Sequence, residues 1–214
     1  AFLVVFLWMY LNIFMFMVFL IVASFHFGKE DCNAYIVKKR SLAFFLFFLK
    51  GSLIIFAPLL FHFTDTLEIF ENLYLTNEKF VNTLVFLNEN YIILVLAILA
   101  LLCNFLIFAN FVHGTGAFIE SLIILLVNFL FSPLVAFTIY FCFIHSIRHI
   151  ISLILEYEKE DLHLLNGLKK FFIRAWPLTL ITAIMFCFSV YFLTNYYVLD
   201  EAILKVIFIG LASL

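Results

Sequence analysis

Two histidines stand four residues apart in Tyr140-Phe-Cys-Phe-Ile-His145-Ser-Ile-Arg-His149, inside a stretch that is otherwise dominated by Phe, Ile and Leu. On a helix that spacing puts both imidazoles on one face, one turn apart. Two neutral imidazoles so placed can share one zinc, copper, iron or nickel ion. Thr138, Cys142 and Ser152 extend the polar stripe along the same segment. One helix supplies only two ligands, so any further one must come from another segment at similar depth. His26, in Ser24-Phe-His26-Phe-Gly28-Lys-Glu-Asp31, meets that condition. The competing reading needs no metal: paired histidines can hydrogen-bond between helices, and His26 can be an interfacial residue beside Lys29 and Asp31. His62 and His113 close apolar runs and read as interfacial, while His163 lies in a charged loop. Lys50 and Glu120 are expensive in lipid. Either they pair inside a bundle, or Lys50 snorkels and Glu120 lies at the membrane surface.

The elements that must carry these residues are membrane helices. Apolar residues make up 67% of the 214 positions and charged residues 12%, against about 45–50% and about 25% in soluble domains. A net charge of −2 gives no basic excess for nucleic acid, and 32 phenylalanines call for lipid or an apolar ligand. Cys32, Cys103, Cys142 and Cys187 lack CxxC spacing, so neither a zinc motif nor a disulfide framework is indicated.

A crossing needs about 20 apolar residues. On that measure the chain reads as an all-α, polytopic integral membrane helical bundle. It forms a single transmembrane domain over 1–214, with about seven helical segments at 2–27, 41–63, 91–112, 117–131, 134–155, 171–191 and 202–214. A polar extracytoplasmic insert spans 64–90, and its Asp65-Thr66-Leu67-Glu68 reads as a capping box. The apolar run 117–155 is too long for one crossing and is divided at Ser132-Pro133, because proline lacks a donor and disfavours helix in the residue before it. Loop charge supports the division, since short loops rich in Lys and Arg face the cytoplasm. The first loop holds Lys29, Lys38, Lys39 and Arg40, whereas the insert holds Lys79 among Asp65, Glu68, Glu71, Glu78 and Glu89. With the break at Pro133, the loop bearing Lys159, Lys169 and Lys170 returns to the cytoplasmic side, and Asp200 and Glu201 stay outside. The chain opens on Ala1 in an apolar run without a secretory signal and closes at Leu214 in another, so both ends are expected to continue further.

Three segments carry a family resemblance: Ser24-Phe-His-Phe-Gly-Lys-Glu-Asp31, Lys50-Gly51 with Pro58-Leu-Leu-Phe-His62, and above all Phe137-Thr-Ile-Tyr-Phe-Cys-Phe-Ile-His145-Ser-Ile-Arg-His149. In this order they resemble the Brp/Blh family of bacterial and archaeal β-carotene 15,15′-dioxygenases, over nearly the whole chain. The resemblance implies a membrane-embedded non-haem iron(II) centre, with His26, His145 and His149 as metal ligands and catalytic residues. It implies β-carotene and O2 as substrates, cleavage at the central 15,15′ double bond, and two molecules of all-trans-retinal supplied to a microbial rhodopsin. The setting would be the cell inner (plasma) membrane, crossed several times. The family pattern also has a histidine in an earlier helix, which this sequence does not contain, and a Pro-His beyond Leu214. Asp31 and Glu120 are candidates to orient the ligand imidazoles, and the phenylalanines could line an apolar pocket open to lipid. Two other readings stay open, a carotenoid- or retinal-binding membrane protein without chemistry and a transporter.

The charge asymmetry of the loops makes a topology prediction. Reporter fusions at Val37 and Gly167 should report the cytoplasm and a fusion at Asn77 the opposite side; opposite locations for Val37 and Gly167 would contradict the break at Pro133.

Overall fold

The computed structural model describes residues 11–32, 40–73, 77–108, 114–157 and 164–212, and among them there is helix and no strand. The helices are α1 (Asn12–Cys32), α2 (Arg40–Phe61), α3 (Phe63–Asn72), α4 (Glu78–Glu89), α5 (Ile92–Phe108), α6 (Gly114–Leu130), α7 (Pro133–Ile139), a π-helical turn (Tyr140–His145), α8 (Ser146–Tyr157), α9 (Leu164–Leu193) and α10 (Leu199–Ala212). Among the described residues, four helical stretches are long and apolar enough to cross a membrane: Ile13–Asp31, Phe44–Phe61, Pro133–Ile154 and Gly167–Leu193. A fifth is possible if α4 and the first part of α5, bent by 67°, count as one broken span. The chain is thus an all-α membrane bundle, as the sequence indicates.

The described residues divide into two compact units at the peptide bond between His145 and Ser146. In the larger unit, α1 and α2 cross at the closest possible range. A methyl group built on Gly28 would overlap the backbone carbonyl of Phe47, and one built on Gly51 would overlap that of Ser24. Two helices that lie in lipid gain nothing from hiding apolar surface from it, so they associate through close packing, and small residues permit that approach. Ser24, one turn before Gly28, is small enough to belong to the same contact, and its hydroxyl donates to Leu20 O of its own helix at 2.8 Å. The next residue on this face is Asp31, which is buried for that reason. Lys50 adjoins Gly51 and is completely buried.

Aromatic pairs fix the two ends of the crossing. Phe25 of α1 packs on Phe44 and Phe47 of α2, with ring centroids 4.8 and 6.0 Å apart. Toward the other end, Phe16 meets Phe70 of α3 at 4.8 Å and Phe80 of α4 at 6.3 Å, both edge-to-face. The polar insert is therefore a pair of helices laid against the end of α1. Phe61 on Phe129 joins α2 to α6, and Phe105 on Phe118 joins α5 to α6. Much of the outer face is large apolar side chain, including Phe14, Ile21, Phe44, Leu99 and Phe129, as a lipid boundary requires.

The smaller unit contains α8, α9 and α10. Here Lys205 is buried, pairs with Glu201 Oε2 at 3.2 Å and lies 4.4 Å over the Tyr197 ring.

Several boundaries differ from expectation, each for a local reason. The first span was placed to end at Phe27, but α1 continues to Cys32 because Gly28 and Asp31 pack against neighbours and stay buried. The helix after the second span starts at Phe63, with His62 and not Asp65 in the capping position. Asp65 falls in the first turn, where a carboxylate still favours the positive end of the helix dipole. The insert holds a second helix, α4, capped by Asn77, whose side-chain oxygen accepts from Lys79 N at 3.0 Å and Phe80 N at 3.3 Å. Between α4 and α5, Tyr91 takes φ 58°, a left-handed conformation that turns the chain. The break at Pro133 is present, with Ser132 extended and Pro133 opening α7. His113 and His163 lie outside the described residues.

The crossing yields a stability prediction. Gly28→Ala or Gly51→Ala should destabilise the protein by about 1–3 kcal/mol or more, since a backbone must move to admit the methyl group. Gly210→Ala, where nothing lies within 4 Å of the added atom, should be neutral or gain up to about 1 kcal/mol in helix propensity. Thermal unfolding of the three purified variants in detergent distinguishes these outcomes.

Candidate functional site

The crossing of α1 and α2 brings one end of α1 against the π-helical turn, and three of the residues singled out from sequence meet there. His26 and His145 have ring centroids 5.8 Å apart. Asp31 sends Oδ1 to within 3.8 Å of His145 Nδ1, while its Oδ2 accepts a hydrogen bond from the Tyr140 hydroxyl at 2.9 Å. Asp31, Tyr140 and His145 are all buried, with 1%, 2% and 7% of their surfaces exposed. His26 is exposed on the bundle surface. The imidazole pair thus spans the boundary between the interior and the apolar surroundings.

The π turn explains how one segment offers both Tyr140 and His145 to the same carboxylate. In an α-helix, residues five apart point about 140° away from each other. Hydrogen bonds from i to i+5 widen the turn and bring such residues to the same side, and turns of this kind recur at functional sites. Aromatic walls then hold the His145 ring: Phe141 lies nearly parallel at 5.7 Å and 24°, and Phe27 stands edge-on at 4.9 Å and 84°. Behind them, Phe27, Phe137, Phe141 and Ile144 pack on a core of Ile54, Ala57, Ile124 and Tyr140.

A second polar centre lies between α2 and α6. Lys50 Nζ donates to Ser121 Oγ at 2.9 Å and stands 3.7 Å from Glu120 Oε2. Of the alternatives left by the sequence, Lys50 is paired inside the bundle. Glu120, a candidate to orient an imidazole, is placed beside this ammonium. On α5, Asn104 is fully buried, and among the described residues neither atom of its carboxamide finds a hydrogen-bond partner, a state that costs about 1–3 kcal/mol.

His149 lies in α8, in the smaller unit, and its side chain is exposed. Among the described residues, no three His, Cys, Asp or Glu side chains form a group that could hold a metal ion. The donors that are grouped have suitable chemistry for part of such a set. Metal–nitrogen bonds of about 2.1 Å bring two imidazole centroids on one ion to roughly 5–6 Å from each other, and the separation of His26 and His145 is 5.8 Å. Ligand histidines characteristically offer their second nitrogen to a carboxylate, and Asp31 faces His145 Nδ1.

Tyr140 is the residue of this site that spacing alone does not reveal. It is one of nine tyrosines in an aromatic-rich chain, and its separation from Asp31 by 109 positions gives no local signal. A tyrosine five residues before the histidine would have been informative only if the π turn were known.

Fold and site together define a polytopic helical membrane protein with a buried imidazole–carboxylate–phenol cluster walled by phenylalanine. The family model of beta-carotene 15,15′-dioxygenase matches residues 1–214, and the chain belongs to that family. No curated protein and no solved structure matches it. The family's activity is oxidative cleavage of a carotenoid, an apolar polyene that dissolves in the bilayer where these helices lie.

The second polar centre supports a prediction. Lys50→Ala should cost about 3–5 kcal/mol by leaving Glu120 without its buried cation. The double variant Lys50→Met/Glu120→Gln should recover part of the loss, read as unfolding temperature in detergent.

Proposed function

We propose that this protein is a non-haem iron(II) dioxygenase that cleaves β-carotene at its central 15,15′ double bond, consuming one O2 and forming two molecules of retinal. The observation that carries the reading is the meeting of His26 and His145 from two separate helices, with Asp31 behind His145, in a chain of the beta-carotene dioxygenase family.

In this reading His26 and His145 are iron ligands, and His149 is assigned as a third by the family resemblance alone. A bound iron(II) would supply the means of activating dioxygen, which organic side chains cannot provide. The protein's own residues do the remaining work. Neutral imidazoles leave the ion its full positive charge. Asp31 holds the His145 ring in orientation by facing Nδ1. Phe27 and Phe141 restrict the ring from its faces and exclude water. Exposure of His26 on the bundle surface lets a lipid-dissolved polyene reach the site without crossing water. The substrate has no polar handle, so shape and aromatic contact must position its central bond. Retinal formed there is itself apolar and leaves into the bilayer.

Expression of the gene in bacteria that accumulate β-carotene tests this reading. Wild-type cells should lose orange colour and form retinal. His26→Ala, His145→Ala and His149→Ala should each abolish retinal and lower iron content of the purified protein, while His62→Ala should retain both. Full iron and turnover in the His26 and His145 variants would remove this site from the reaction, and binding of carotenoid without cleavage by the wild type would favour a carrier.

A further inference from the structure

The phenol of Tyr140 has no role in the reading above, although it makes a direct hydrogen bond in the cluster. Its hydroxyl donates to Asp31 Oδ2 at 2.9 Å across a separation of 109 residues, and both partners are nearly fully buried. Burying a phenol and a carboxylate in a membrane interior is costly unless each satisfies the other.

We infer that Tyr140 is a positioning residue for His145, acting through Asp31. This rests on the iron reading of the site. A carboxylate has two oxygens, and the tyrosine occupies one of them by a charge-assisted hydrogen bond. With Oδ2 held, rotation of the carboxylate is blocked and Oδ1 is kept on the side of His145 Nδ1, at 3.8 Å. That is about 0.8–1 Å longer than a hydrogen bond, a gap that a small rotation of the imidazole closes when its other nitrogen is engaged. Contacts of this kind commonly tighten on binding. The acceptor in front of Nδ1 favours the tautomer with its proton on Nδ1 and leaves the Nε2 lone pair for a metal ion.

The π turn is the device that makes the arrangement possible. It places Tyr140 at its first position and His145 at its last, on the same side of the helix, with ring centroids 6.0 Å apart. One carboxylate from α1 therefore grips both ends of the turn. The hydroxyl of the tyrosine is engaged by Asp31, so its effect on iron runs through the orientation of His145.

The test uses the protein purified in detergent, in three forms: wild type, Tyr140→Phe and Phe137→Leu. Phe137 belongs to the same apolar cluster but offers no polar group, so its substitution reports the effect of disturbed packing alone. Iron(II) affinity is measured by competition with a chelator, and the absorption spectrum of the cobalt(II)-substituted protein reports the ligand field. Tyr140→Phe should bind iron(II) about 10–100-fold more weakly and shift the cobalt spectrum, with helical content unchanged, while Phe137→Leu should leave both readouts at wild-type values. Wild-type affinity and spectrum in Tyr140→Phe, or the same loss in Phe137→Leu, overturns the inference while the iron reading stands. Failure of the wild type to bind iron(II) overturns the iron reading and this inference with it. Should Tyr140→Phe fail to accumulate, Asp31→Asn keeps an acceptor for the hydroxyl but removes the charge; weaker iron binding is expected there, and unchanged binding is contradictory.

Discussion

The backbone contact of Gly28 with Gly51 governs the larger unit. Each glycine sits where a single methyl group would collide with the carbonyl of the opposite helix, so the two helices touch main chain to main chain. That proximity decides which side chains are interior. Asp31 follows Gly28 on the same face of α1 and is buried there, while Lys50, next to Gly51 on α2, is buried against Ser121 and Glu120 of α6. His26 and Phe27 adjoin the same glycine and reach the π turn together. A looser crossing would separate the α1 half of the site from the half on the π turn.

Two sets of polar groups in this interior are satisfied by partners on different helices. Tyr140 with Asp31 connects the π turn to α1, and Lys50 with Ser121 and Glu120 connects α2 to α6. In a medium without water such links are worth more as specification than as stability, since unpaired partners are costly while apolar replacements can be neutral. Phenylalanine supplies the rest. It packs edge-to-face between helices, encloses the His145 ring and covers the outer surface, which accounts for its abundance in a membrane protein of a carotenoid-cleaving family.

Features that depend on local sequence were legible in advance. Apolar run lengths pointed to the four helices that are long and apolar enough to cross a membrane, Pro133 marked the break between α6 and α7, and the histidine spacing with the Ser24–Asp31 segment pointed to the family that the comparison over residues 1–214 shows. Features that depend on distant pairing were not. Nothing near Lys50 announces Ser121, 71 positions away, and nothing near Tyr140 announces Asp31. The small residues Ser24, Gly28 and Gly51 were visible, but a crossing is a property of two helices and does not show in either alone. The π turn left no trace in a run of apolar residues, because one residue of altered register does not disturb composition. A helix start in the polar insert went astray for a related reason: His62 took the capping position where Asp65 offered the stronger local signal, and Asn77 caps a second helix further on.

The most direct measurement is X-ray absorption at the iron edge of the purified protein loaded with iron(II). Extended fine structure should show a first shell of nitrogen and oxygen with the multiple scattering that marks at least two imidazoles, diminished in His145→Ala. A shell without imidazole scattering, or one unaffected by loss of His145, would contradict an iron site built where α1 meets the π turn.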